Sequence, residues 1–332
     1  MTAPIETTAG QAEAQPEAVL SGAGQSLIEG RSLGQIAWRR FRRDKVAVAG
    51  GIVVILLVLL AVLARPVESI FHLDPDKFHQ NLVDPNLLAP KGGWGGISLS
   101  HPLGVDPLYG RDMLARIIEG SWLSLLVATG ATVLSNVIGT VLGVVAGYYG
   151  GWVDSLISRL MDIFLAFPLL LFAISISAAL QDNAFGLSGL WLHVGVLIFV
   201  IGFFNWPYMG RIVRGQTLSL REREFVEAAR SLGARGPYIL FRELLPNLVA
   251  PILVYSTLLI PTNILFEASL SYLGVGIAPP QASWGNMLTD AVTYWEIDPM
   301  YMIVPGAAIF ITVLAFNLLG DGLRDALDPR GK

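Results

Sequence analysis

The chain has 332 residues, of which 53% are hydrophobic and only 14% charged, and its mean hydropathy of +0.59 places it in the membrane class. A net charge of −4 gives no footprint for nucleic acid, and the absence of cysteine excludes disulfides, thiolate metal sites and cysteine nucleophiles. The four histidines, His72, His79, His101 and His193, are scattered rather than set at metal-ligand spacing.

Residues 1–30, rich in Ala, Gly, Glu, Gln and Thr, cannot bury enough apolar surface to fold and are expected to be a disordered tail. Arg39, Arg40, Arg42, Arg43 and Lys45 then precede the apolar run from Val46 to Ala64, which is long enough to cross a bilayer. That run lies too far from the N-terminus for an ordinary signal peptide and reads as a retained first span, with 31–64 as basic flank and span together. Residues 65–120 are a hydrophilic excursion, extracytoplasmic in this reading, in which Asp112 to Glu119 are expected to lie as a short amphipathic helix on the outer surface.

A second span, about 122–147, carries Gly139, Gly143 and Gly147 at four-residue spacing, so three glycines share one face where another backbone can approach. A third span, about 156–180, has Pro168 in its middle and holds Arg159 and Asp162 three apart, placed to pair with each other. The fourth, about 189–209, ends before Arg211 and Arg214. The fifth, about 248–273, is interrupted by Pro251 and Pro261 and carries Asn263 and Glu267 on one face. A carboxylate at that depth is costly unless it faces water or a partner, so the pair either lines a pathway near an outer gate, with Ser269 close by, or hydrogen-bonds a neighbouring helix. A sixth span, about 300–319, leads to a polar tail at 321–332.

Orientation follows from the basic residues. Six precede the first span, seven lie between Arg211 and Arg242, three lie in the tail, and none in the loops Gln181 to Ser188 and Gly274 to Pro299. The asymmetry predicts an all-α membrane protein of six transmembrane helices with both termini cytoplasmic.

Between the fourth and fifth spans runs REREFVEAARSLGARGPYILFRELLPN, from Arg221 to Asn247. Phe225, Val226, Ala229 and Leu232 make one apolar stripe if the stretch from Leu220 to Leu232 is helical, Gly233 sits where a helix end favours glycine, and Pro237 can open a second short helix. Pro246 is expected to close the stretch before the apolar sequence resumes.

Glu227-Ala228-Ala229, Gly233 and Leu245-Pro246 have the order and spacing of the EAA loop of bacterial ATP-binding-cassette (ABC) importer permeases, which this stretch, at about 219–247, resembles; Glu243 stands where the general motif has isoleucine. The resemblance extends over most of the chain. His101-Pro102-Leu103-Gly104 with Asp106 and Gly110-Arg111-Asp112, the segment from Glu267 to Gly274, Ser283-Trp284-Gly285-Asn286-Met287, and the run from Ala315 to Asp325 are similar to the second permease subunit of the dipeptide, oligopeptide and nickel importers. The stretch between Asp106 and Gly110 is one residue longer than the usual pattern.

The resemblance implies a type I ABC importer permease fold, with a core over 121–320, in a bacterial inner membrane. Its implied partners are a homologous permease forming a heterodimer, two cytoplasmic ATPase subunits and an extracytoplasmic solute-binding protein that delivers peptide, with membrane lipid around the spans. The EAA loop then couples to the ATPases, which hold ATP and magnesium; the chain itself binds no cofactor and is not an enzyme. It carries no Walker A sequence and no Gly-x-Ser-x-Gly elbow. A nickel substrate, or an ion-coupled secondary transporter built on inverted repeats, are the alternatives.

Overall fold

The computed structural model describes residues 33–179, 183–184 and 186–327; the expected N-terminal tail and the last five residues lie outside them. Most of it is helix. A short α1 (Leu33–Phe41) leads through the Asp44 cap into α2 (Lys45–Val62), and α3 (Ala64–Phe71) follows after a single residue. Asp44 accepts hydrogen bonds from the backbone of Val46 and Ala47, satisfying two of the donors a helix start leaves free.

The excursion after α3 holds one antiparallel pair, β1 (Val83–Asp84) with β2 (Ala89–Pro90). The long stretch between Asp106 and Gly110 closes on itself. Asp106 takes the amide hydrogens of Tyr109 and Arg111 on one carboxylate oxygen and the Arg111 guanidinium on the other. Asp112 then caps α4 (Met113–Tyr149) through Ala115, while its second oxygen lies 2.6 Å from His101 Nδ1. The expected surface helix from Asp112 to Glu119 is therefore the opening of α4, a single helix of 37 residues. Met113, Ala115, Arg116 and Ile118 are buried there, Met113 in a core shared with Met287, Ala291, Tyr301 and Val304.

The third span is not one cylinder. α5 (Gly151–Ala166) and α6 (Leu169–Ala179) meet at 78°. Pro168 has no amide hydrogen and its ring pushes the residue before it out of the helical region, so Phe167 is extended at φ −80°, ψ 127°. A second two-stranded pair, β3 (Asn183–Ala184) with β4 (Leu187–Ser188), leads into α7 (Gly189–Leu220).

α8 (Glu224–Ser231) follows, then α9 (Gly236–Tyr238), a wide π turn at Ile239–Leu244, and α10 (Leu245–Tyr272). Pro237 does open a helix, but Pro246 closes nothing. The widened turn ends just ahead of it, and helix runs on from 236 to 272. α11 (Trp284–Tyr294) and α12 (Pro299–Leu327) complete the chain, α12 carrying the sixth span on as helix into the expected tail.

Among the described residues five helices are long and apolar enough to cross a membrane, and the bent α5–α6 pair brings the number to six if it counts as one span. At their centre α4 lies along α7. A Cβ on Gly139 would come within 2.7 Å of the Trp206 carbonyl oxygen, one on Gly143 within 2.7 Å of the Gly210 oxygen, and one on Gly147 within 2.9 Å of the Arg214 oxygen. The three glycines let the two backbones touch over two turns, gaining dispersion contacts that lipid cannot supply. At one end of the bundle lie the start of α2 and the ends of α4, α7 and α12; at the other lie the starts of α4 and α12, the end of α10, and α11.

Candidate functional site

The stretch between α7 and α10 forms a compact cap on the first of these ends. Val226 is its anchor. It is completely buried against Val144 of α4, Met209 and Val213 of α7, and Ile239, Leu244 and Leu248. Of the rest of the expected apolar stripe, Ala229 packs against this core from its edge, while Phe225 and Leu232 do not reach it. α7 stops at Leu220, the helix restarts only at Glu224, Ala229 is half-buried, and Phe225 and Leu232 face outward.

α8 ends as the sequence predicts. Gly233 has φ +81°, in the left-handed region that costs a side-chain-bearing residue about 1–2 kcal/mol. Its amide donates to the Arg230 oxygen at 2.9 Å and that of Ala234 to the Ala229 oxygen at 3.0 Å, so the last carbonyls of the helix are satisfied by the turn itself. No atom lies within 4 Å of where a Cβ would stand, so the glycine is needed for its conformation and not for space.

Around this turn lies a cleft of about 450 Å³ lined by Ala229, Leu232, Gly233, Ala234, Arg235, Tyr238 and Glu243. Glu227 and Ala228 are exposed beside it. Leu245 is half-buried at the foot of α10 and Pro246 is exposed next to it. The six residues singled out in the sequence are thus gathered at one end of the bundle, with small side chains and a carboxylate outward over a fixed apolar base.

Asn263, Glu267 and Ser269 divide. Asn263 and Glu267 are fully buried, but it is Asn263 that hydrogen-bonds neighbouring helices, the Glu267 contact at Ser271 being within its own helix. Asn205 of α7 donates to Asn263 Oδ1 at 2.8 Å, and Asn263 Nδ2 donates to Thr132 Oγ1 of α4 at 2.8 Å. One side chain thus ties three helices. Glu267 Oε1 accepts from Ser271 at 2.8 Å, and the Ser271 hydroxyl in turn accepts from the Ile277 amide at 3.2 Å. Ser269 is exposed, its hydroxyl donating to the Leu265 carbonyl one turn back.

The charges expected to pair within α5 do not. Asp162 accepts from Arg211 of α7 at 2.6 Å, both half-exposed, a contact worth well under about 1 kcal/mol in water. The firmer link is Arg214, whose guanidinium holds both oxygens of Asp154. Sequence spacing could not find these pairs because they lie between helices. Among the described residues no group of three or more His, Asp or Glu is placed to hold a metal.

Two family profiles match the chain. The binding-protein-dependent transport system inner membrane component covers 139–332, and the N-terminal TM domain of oligopeptide transport permease C covers 32–90. The glutathione transport system permease protein GsiD of Escherichia coli O157:H7 is 42% identical over 298 residues, 89% of this chain and 90% of its own length. The GsiD protein of Shigella boydii serotype 4 matches to the same extent. In shape the chain is similar to an inward-facing structure of the MetNI methionine ABC transporter, with a TM-score of 0.52 at 20% identity over 65% of this chain and 98% of the other. With the helical architecture, the capped loop and these matches together, the chain belongs to the binding-protein-dependent inner-membrane permeases, as an ABC importer permease subunit of the dipeptide, oligopeptide and nickel group.

Proposed function

We propose that this chain is one of two homologous permeases that together enclose the translocation pathway of an ATP-driven importer of small peptides. The loop around α8 is its coupling element to the ATPases. The observation that carries the reading is the Gly233 turn, which exposes Glu227 and Ala228 beside an open cleft while Val226 pins the helix to α4, α7 and α10. A partner that pushes on such a helix moves the spans beneath it, because the helix cannot slide without lifting Val226 from its core. The small side chains permit close approach of a protein surface, and Glu227 offers a charge for basic groups on it.

Peptide as the cargo is supported by the relatives, which are glutathione transport permeases, and by the match to the oligopeptide permease C profile. Ser269, exposed on α10, is this chain's contribution to the shared surface; Asn263 and Glu267 set the angle of α10 from inside. The α8 end of the bundle is cytoplasmic in this reading, with both termini, and the 65–112 segment meets the solute-binding protein on the other side.

The test is purification of a tagged chain from its native membrane in mild detergent with identification of what accompanies it. Recovery of a second permease and two ATPase subunits supports the reading. Recovery of this chain alone, stable and monodisperse, would overturn it in favour of a self-sufficient transporter.

A further inference from the structure

α8 touches the spans at a second place besides Val226. The end of α4 and the start of α5, Gly147 to Gly151, lie under it. The Arg230 guanidinium stands 5.5 Å from the centre of the Tyr148 ring, a cation–π contact. Arg221, the residue just after α7, donates from Nη1 to the Gly147 carbonyl at 3.0 Å. That carbonyl is among the last four of α4, which have no donor within their own helix, so the cation meets an unsatisfied acceptor at the negative end of the helix dipole. On the far side of the cap, a Cβ on Gly236 would lie 3.2 Å from the Tyr149 hydroxyl, and the two tyrosine rings meet edge to face at 5.1 Å. The end of α4 is therefore gripped on either side of α8.

The opposite end of α4 is gripped as well. The Trp284 indole donates to the Ile117 carbonyl at 3.2 Å, and the Ala282 amide to Glu119 Oε2 at 3.4 Å, fastening the loop before α11 to the first turns of α4. Between the two grips α4 contains no proline. α10, the other helix that leaves the cap, holds Pro251 and Pro261 and is entered through the π turn, each a place where a helix bends.

We propose that Tyr148, held by Arg230 and backed by Arg221 on Gly147, is a positioning residue through which displacement of the coupling loop reaches α4, and that α4 delivers it to the loop around Gln281. The inference rests on the coupling reading above. It assigns the stroke to the unbroken helix instead of the proline-bearing one.

Because the chain has no cysteine, a single reporter can be placed at Gln281→Cys in the assembled complex and its labelling rate by a membrane-impermeant maleimide measured with and without ATP. Tyr148→Phe keeps the ring and should preserve the ATP-dependent change in rate. Tyr148→Leu keeps the apolar bulk but loses the ring, and should abolish that change while the ATPases still co-purify and still hydrolyse ATP. A merely structural role would lower yield or assembly and leave the response of the assembled fraction intact. An ATP response in Tyr148→Leu equal to that of Tyr148→Phe, or a wild-type reporter indifferent to ATP, overturns the proposal. Failure of the wild-type chain to bring down any ATPase is a separate outcome, read in the purification itself, and counts against the functional reading.

Discussion

Asn205 Nδ2 donates to Asn263 Oδ1 at 2.8 Å in the interior of the subunit, and Asn263 passes the chain of hydrogen bonds to Thr132, so α7, α10 and α4 are joined at one side chain. Asn263→Ala leaves the Asn205 amide buried without its acceptor, at a cost of about 1–3 kcal/mol. The midpoint of thermal unfolding of the purified complex should fall. Asn205→Ala combined with Asn263→Ala should cost less than the sum of the two, because the second change removes a group the first has orphaned. Strict additivity would mean that the pair is not coupled.

The contact between α4 and α7 makes a sharper demand. In Gly143→Ala the new methyl meets the Gly210 carbonyl at 2.7 Å and Val213 Cβ at 3.0 Å, and backbone cannot step aside as a side chain would. A loss of about 1–3 kcal/mol is expected, as for other overpacked sites. Gly306→Ala in α12 is the control: nothing lies within 4 Å of its Cβ, and a helical glycine replaced by alanine should gain about 0.5–1 kcal/mol. Equal effects of the two substitutions on the unfolding midpoint would refute the close-packing account.

At the α8 turn the demand is on conformation alone. Gly233→Asn should be tolerated best, Gly233→Ala should weaken the turn by about 1–2 kcal/mol, and Gly233→Pro, whose ring cannot take φ +81°, should abolish it. The amount of ATPase retained on the purified chain should fall in that order with membrane insertion unchanged. Full retention by Gly233→Pro would remove the turn from the docking surface.

Asp298 caps the start of α12, one oxygen accepting from the Met300 amide at 3.2 Å and the other having no partner among the described residues. Burial raises its carboxyl above the ordinary 3.8, with the hydrogen bonds from the Met300 and Tyr301 backbone opposing the rise. The sign follows from linkage: a raised value in the folded state means that the native form binds the proton more tightly than the unfolded one. This group's contribution is therefore fully present below 3.8 and is lost as pH rises through the raised value. Asp298→Asn keeps the cap without the charge. It should be more resistant to hydrogen exchange around residues 297–301 than wild type at neutral pH and should lose the acid-side dependence, whereas a less protected variant at pH 7 would reverse the assignment.

The apolar runs, the glycine stripe and the α8 turn were legible in the sequence because each depends on short-range chemistry: periodicity, backbone freedom, a cap. What could not be read depends on partners distant in the chain. Asp162 faces Arg211 and not Arg159, since α5 lies on α7. Glu267 is sealed inside because Ser271 and the loop at Ile277 fold over it, a closure no pattern around residue 267 encodes. The sequence reads as one span with Pro168 in its middle, whereas the 78° turn there is set by where α6 finds its packing against α7 and α10. Pro246 read as a stop because the π turn that accommodates it has no sequence signature of its own.

The central claim is that the α8 loop is the face offered to the ATPase, and a cysteine-free chain allows it to be tested by position. Ala228→Cys, exposed on α8, and Leu99→Cys, fully exposed at the other end of the bundle, should be compared by thiol cross-linking in native membranes. The account predicts a cross-link from position 228 to an ATPase subunit and none from position 99. An ATPase adduct at 99, or its absence at 228 in an actively importing complex, would contradict it.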